Sequence, residues 1–489
     1  MVFNSFDFLL FFPIVVAIYF VIPKKVRYIW LLIASYYFYM SWNPKYAILI
    51  ALSTLITYVS GICIEYFQLH NRNRIAKICV TFSLISNLGI LGLFKYADFF
   101  LDNLSVFLNK IGGGQFTDKR LDLLLPVGIS FYTFQALSYT LDVYRKDVKA
   151  EKNVLRYALF VSFFPQLVAG PIERSKNLLG QIQNVEKIQV WNYTRIRDGF
   201  FLMLWGFFQK IVIADRASII VDEVINNYSS YGFVEIIFAT ALFAIQIYCD
   251  FGGYTNIARG AARVMGFELM NNFRQPYLAK NIKEFWRRWH ISLTSWFTDY
   301  LYIPLGGNRK GYFRKYLNIA IVFGASGLWH GASWNYIAWG LIHAFYQVIG
   351  GLKNRIEKRI NIEKHSCISK TIREIFITFI LVDFAWIFFA SPSFRHALSI
   401  IGQMSKSFMT CGIQNLGLNV ANLIVLGVST VILFGVDIMH EKGINIIFCF
   451  DKQEIWFKLL VIVGGIWSVI LFGVYGYAYD PTTFIYFQF

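Results

Sequence analysis

Charge is what this chain has least of. Of its 489 residues only 15% are Asp, Glu, Lys or Arg, against about a quarter in soluble domains. Acidic groups are the scarcer kind, 29 carboxylates against 46 basic side chains, for a formal net charge of +17. With 56% hydrophobic and 19% aromatic residues, this shortfall argues against a soluble enzyme of two or three domains and places the chain in the membrane class. The basic surplus does not point to nucleic acid. It falls in short groups between apolar runs, with no Lys/Arg-rich arm or recognition motif, and reads as cytoplasmic flanks under the positive-inside rule. Cysteine is sparse as well. Cys63, Cys79, Cys249, Cys367, Cys411 and Cys449 are scattered without a CxxC pair, so neither a disulfide framework nor a zinc site follows. Walker A, a strand-borne dinucleotide fingerprint and HExxH are all missing, which leaves nucleotide hydrolysis and zinc chemistry without support. No metal site is expected.

What is present is a succession of apolar runs. The first, about Phe8–Ile22, has no basic n-region and no small-residue cleavage site, so a retained span is expected there. It ends in Pro23-Lys24-Lys25-Val26-Arg27. Runs follow at Tyr28–Trp42, Tyr46–Tyr66, Cys79–Leu93 and Leu121–Tyr144. Basic groups fall at every second loop, as alternating topology requires, with the N-terminus outside. Leu155–Val168 and Phe200–Ala214 are shorter or interrupted, and Pro165, Gly170 and Pro171 predict a broken or re-entrant helix that protein must cover. Val234–Tyr248 is expected to end in a second break, at Cys249-Asp250-Phe251-Gly252-Gly253-Tyr254. Further spans are expected at Ile375–Phe389, Val420–Met439 and Ile455–Tyr475. No tandem repeat or low-complexity tract occurs. The reading is a single membrane-embedded domain over 1–489. Its parts are an N-terminal helical part (1–270), a cytoplasmic-side aromatic and basic segment (271–315), a histidine-bearing helix pair (316–350) and C-terminal helices with an aromatic tail (351–489).

The chemistry concentrates at Trp329-His330-Gly331, between the apolar runs Tyr316–Leu328 and Ala332–Gly350. A histidine held at membrane depth is costly and functional by default. An imidazole can take the proton of an alcohol as it attacks a thioester, and His330 is the candidate for that base. Trp329 and Asn335 lie beside it as candidate substrate contacts; the competing role is a core histidine flanked by tryptophan anchors. His290 closes the motif Phe285-Trp286-Arg287-Arg288-Trp289. It either shares in proton transfer or sits as an interfacial histidine among snorkelling arginines. Arg287 and Arg288 either attract the phosphates of a coenzyme A or phosphopantetheine donor or set topology. Asp250 either binds substrate or satisfies a broken helix. His70, His343, His365, His396 and His440 read as structural. At the far end Asp480–Phe489 carries aromatics up to its last residue, Phe484, Tyr486, Phe487 and Phe489; its Tyr486 is either an interfacial anchor or a phenol that holds an acyl group between two half-reactions.

Taken together, Pro126-Val127-Gly128-Ile129-Ser130-Phe131-Tyr132-Thr133-Phe134-Gln135, Gln166-Leu167-Val168-Ala169-Gly170-Pro171-Ile172, Asn271-Asn272-Phe273-Arg274-Gln275-Pro276-Tyr277, Phe285–Asn308 and Leu328–Ser333 resemble the membrane-bound O-acyltransferase (MBOAT) family. The similarity is to its branch of alginate O-acetylase membrane subunits and teichoic-acid D-alanylation membrane proteins. The resemblance implies an all-α polytopic fold, a ring of transmembrane and re-entrant helices around a central funnel. It implies an acyl (most simply acetyl) group moved from a cytoplasmic thioester, acyl-CoA or an acyl carrier, toward hydroxyls of an exported polysaccharide. The family's invariant histidine maps onto His330, a frequent upstream histidine onto His290, and a C-terminal tyrosine onto Tyr486. The expected setting is the cytoplasmic membrane, with an extracytoplasmic esterase-like (SGNH) partner completing transfer and no bound cofactor. At 250–256 the chain departs from the family's Asp-Phe-Ser-Gly-Tyr-Ser-Asp, so the resemblance assigns no catalytic role to Gly252 or Asn256. The alternatives are a non-enzymatic transporter whose broken helices mark a substrate site, and O-acylation of a lipid or a secreted protein.

Overall fold

The computed structural model describes residues 1–112, 120–168, 170–360 and 367–475. Tyr486 with the rest of the aromatic tail, and His365, lie outside the described residues. Most of the described chain is helical, and no strand occurs among the described residues. The chain forms two compact units, one of Met1–Gly199 with Ala258–Met270, the other of Phe200–Ile257 with the described part of Asn271–Phe489.

The helices run in order as α1 Phe6–Val21, α2 Arg27–Met40, α3 Ala47–Leu69, α4 Asn73–Lys95, α5 Ala97–Ile111, α6 Ile129–Tyr144, α7 Val154–Ser162, α8 Phe164–Leu167 and α9 Gly180–Gln183. Next come α10 Tyr193–Phe207, α11 Asp215–Asn226, α12 Phe233–Met265, α13 Ile282–Arg288, α14 Ile291–Phe297, α15 Gly311–His330 and α16 Trp334–Arg359. The last five are α17 Ile368–Ala390, α18 Phe394–Gln403, α19 Val420–Glu441, α20 Ile446–Asp451 and α21 Ile455–Phe472. Five helical stretches among the described residues are long and apolar enough to cross a membrane: Pro44–Leu69, Asn73–Lys95, Phe233–Met265, Val420–Glu441 and Ile455–Phe472.

Within the first unit, apolar helices are joined by a seam of small polar side chains. Ser53 Oγ donates to Asn87 Oδ1 at 2.5 Å, and Ser83 and Thr140 hydroxyls meet at 3.2 Å. Tyr157 donates to Thr57 at 2.7 Å. Hydrocarbon gives packed helices no hydrophobic reward for meeting, so such bonds and close packing hold them together. The expected interruption near Pro165 is present: α7 stops at Ser162 and α8 restarts at Phe164, with Phe163 at ψ 109° between them.

One expectation about helix boundaries is corrected. The break expected at 249–254 does not occur, because α12 runs unbroken for 33 residues through Gly252-Gly253. The glycines serve packing instead. In the second unit a Cβ on Gly253 would lie 2.7 Å from the Gly206 carbonyl, and one on Gly206 would lie 2.5 Å from that of Gly253. Two helix backbones thus cross at a pair of hydrogen-only residues, the close approach that small residues permit in membranes. The reading of Asp250 as a group that satisfies a broken helix falls with the break.

Candidate active site

The second unit brings His290 and His330 together from segments far apart in the chain. His330 is the last residue of α15, and Gly331-Ala332-Ser333 turns the chain into α16. This hairpin packs closely. A Cβ at Gly327 would run into the Tyr336 carbonyl, and one at Gly331 into the Tyr336 ring. The glycine-rich turn therefore sets the helix separation, and the imidazole ends up 3% exposed. Its ring is 5.0 Å from Trp329, 5.1 Å from Trp339 and 5.3 Å from Phe389, centroid to centroid.

His290 arrives by a different route. Asn281 caps α13, its side chain accepting from Glu284 N at 3.0 Å. The seven-residue helix buries Phe285 and Trp286, then releases the chain at Trp289. His290 follows at φ +42°, ψ 54°, in the left-handed region. For a residue with a side chain that conformation costs roughly 1–2 kcal/mol, and such strain gathers where a site needs it. The ring is fully buried, 4.7 Å from Phe251, 5.8 Å from Trp329 and 6.2 Å from the His330 ring. Burial pushes its pKa down to about 3, so the ring stays neutral through the range where an exposed imidazole titrates. The arrangement is two imidazoles in an aromatic enclosure of low polarity, suited to moving a proton rather than holding a charge.

The other expected site residues are placed as follows. Trp329 is buried between the two imidazoles. Asn335 is buried, and its Nδ2 donates to the carbonyls of Ser391 at 2.7 Å and Phe388 at 3.3 Å, tying α16 to the end of α17. Asp250 lies 2.6 Å from Lys210, which also reaches Asp215 at 2.8 Å, all three side chains no more than 6% exposed. Arg287 is exposed. Arg288 pairs with Glu284 at 2.5 Å and with Glu441 at 2.7 Å, so its guanidinium already has two carboxylates.

His343, which reads as structural from the sequence, packs against Trp339, the residue that also packs against His330. It lies in the middle of α16, fully buried, where Trp286 Nε1 donates to its Nδ1 at 3.2 Å. That bond makes Nε2 the protonated nitrogen. Asn335, Trp339 and His343 are four residues apart and share one stripe of α16, a spacing visible in the sequence. Each carries a buried polar atom, Oδ1, Nε1 and Nε2 respectively, with no hydrogen-bond partner among the described residues. Buried donors and acceptors are nearly always matched, and Trp339, in the middle of this stripe, packs against His330.

Comparison with known proteins identifies the family. The family model described as "MBOAT, membrane-bound O-acyltransferase family" matches residues 18–391, which include both imidazoles. A probable alginate O-acetylase of Pseudomonas aeruginosa is 36% identical over 438 residues, covering 88% of this chain and 80% of that protein. A peptidoglycan O-acetyltransferase of Helicobacter pylori is 35% identical over 400 residues, 77% of this chain and 73% of the relative. A teichoic acid D-alanyltransferase of Bacillus subtilis is 28% identical over 290 residues, 56% and 71% respectively. The chain belongs to the membrane-bound O-acyltransferase family, as an all-helical membrane acyltransferase.

Proposed function

We propose that this protein is an O-acetyltransferase of the cytoplasmic membrane that moves acetyl groups from a cytoplasmic thioester toward hydroxyls of an exported cell-surface polysaccharide. The observation that carries the reading is the buried His290–His330 pair, 6.2 Å between ring centroids. The polysaccharide acceptor is supported by the names of the two O-acetylating relatives, which act on alginate and peptidoglycan. An extracytoplasmic esterase-like partner would complete delivery to the polymer.

In this reading the acceptor oxygen attacks the thioester carbonyl carbon. The carbon–oxygen bond forms, and the carbonyl π pair moves onto oxygen. His330 takes the hydroxyl proton. When the intermediate collapses the carbon–sulfur bond breaks, and the same proton passes to the departing sulfur. The acceptor oxygen belongs either to the sugar or to Tyr486, whose phenol would then hold the acetyl ester until a second transfer. Trp339, buried against His330 with its indole N–H unmatched among the described residues, supplies the hydrogen bond to the developing oxyanion. One such donor is worth about 10²–10³ in turnover.

Membranes carrying the full chain, given acetyl-CoA labelled in the acetyl group, are expected to yield alkali-labile label on polymer or on the chain itself. Movement of substrate across the membrane with no ester formed would instead favour a transporter. In the same assay Trp339→Phe keeps the ring and removes the donor. Turnover should fall about 10²–10³-fold with little change in KM; an unaltered rate would remove Trp339 from the mechanism.

A further inference from the structure

His290 keeps a left-handed backbone inside a fully buried setting, and something must hold it there. The segment that does so is 271–277, which folds back against 288–292. Arg274 N donates to Arg288 O at 2.9 Å, and Ile291 N donates to Asn272 O at 2.9 Å, one backbone bond on each side of His290. Asn272 itself is fully buried and has its polar atoms engaged. Its Oδ1 accepts from the Ser292 hydroxyl at 2.6 Å and from Ser292 N at 3.4 Å, and its Nδ2 donates to Thr255 Oγ1 at 3.2 Å. Thr255 lies on α12, the helix that also presents Phe251 to the His290 ring. The Asn272 side chain therefore grips Ser292 and ties it to the helix against which the His290 imidazole packs, while the Asn272 backbone carbonyl holds Ile291. A second left-handed residue, Gln275 at φ +44°, bends the partner segment so that this pairing is made.

We propose that Asn272 is a positioning residue for acyl transfer: by clamping Ser292 to α12 through its side chain, beside its backbone bond to Ile291, it fixes the strained His290 backbone and so aims that imidazole at His330. The inference rests on the reading of His290 as part of the proton-transfer pair. It adds the device that sets the pair's geometry. Displacing a reacting group by about 1 Å can cost 10²-fold in rate, and releasing the clamp lets the backbone at 290 relax toward an ordinary right-handed or extended conformation.

The test is a double-mutant cycle on the full chain in membranes, following transfer of labelled acetyl from acetyl-CoA. Asn272→Ala should lower turnover about 10- to 100-fold with the KM for acetyl-CoA within about twofold. Asn272→Asp keeps an oxygen for Ser292 to donate to, while the Thr255 hydroxyl turns to donate to the other oxygen, and should recover most of the rate. In a His290→Gln background Asn272→Ala should have no further effect, because two residues acting as one unit are not additive. The proposal is overturned if Asn272→Ala turns over at the wild-type rate, if its loss multiplies with that of His290→Gln, or if turnover falls only in step with the folded fraction measured by thermal unfolding. If Asn272→Ala does not accumulate, Thr255→Val against Thr255→Ser asks the same question by removing or keeping the hydroxyl that Asn272 holds. A wild-type rate in His290→Gln alone would overturn the role of His290 first, and is read separately from the Asn272 arm.

Discussion

His330→Ala is expected to abolish acetyl transfer while full-length protein still accumulates in the membrane. The ring's contacts are aromatic, with Trp329, Trp339, Phe389 and the His290 imidazole. Truncation leaves a small hole in a face that the α15–α16 packing continues to hold. The chemical loss is far larger than the packing loss. A positioned general base contributes about 10²–10⁴ in rate. His330→Gln, which keeps much of the volume and a polar end, should be as inactive as alanine. Ester-linked acetate on cell-surface polymer, measured beside the amount of protein in the membrane, decides the matter. Acetylation above about a tenth of wild type would return His330 to a packing role.

The largest effect on folding is expected at Lys210, in a π-helical turn, Phe208–Ala214, between α10 and α11. Its ammonium lies 2.8 Å from Asp215 and 2.6 Å from Asp250, and the side chains are 1%, 6% and 3% exposed. Removing one member of a buried charge group leaves the others uncompensated, at about 3–5 kcal/mol. That is a large part of the roughly 5–15 kcal/mol that keeps a domain folded. Lys210→Met should therefore accumulate poorly and melt early when extracted. Removing every charge at once is often neutral, so Lys210→Met with Asp215→Asn and Asp250→Asn should restore accumulation. Ordinary levels of the single variant would show that the charges are not coupled. The combined variant also settles what Asp250 does. Acetyl transfer by it assigns Asp250 to structure, whereas a folded, inactive protein returns it to substrate binding.

What could be read from the sequence depended on how local its cause is. The helices α3, α4, α19 and α21 match their apolar runs within a few residues, because hydrocarbon forces every backbone group in a lipid-facing span to be satisfied within its own helix. The Trp329-His330-Gly331 turn was legible for the same reason: glycine, histidine and the two flanking runs are neighbours in sequence. The reading failed where a second segment decides. Gly252-Gly253 reads as a break until Gly206 is set against it, and then the same glycines explain an unbroken α12. His343 reads as structural, but its hydrogen-bond partner Trp286, 57 residues earlier, is visible only in the fold. Arg288 reads either as a phosphate ligand or as a topology determinant, and its pairing with Glu441, 153 residues later, is visible only in the fold.

By itself the sequence determined that this is a polytopic helical protein and, through its resemblance to the MBOAT family, an acyltransferase with His330 as the candidate base, since composition, span length and contiguous motifs act locally along the chain. Only the tertiary structure decided which groups share the enclosure with His330. It brings in His290 on a strained backbone held by Asn272, and Trp339 and His343 on one stripe of α16. It also sets Asp250 against Lys210, because hydrogen bonds and ion pairs at about 3 Å depend on a convergence of helices that no single segment encodes.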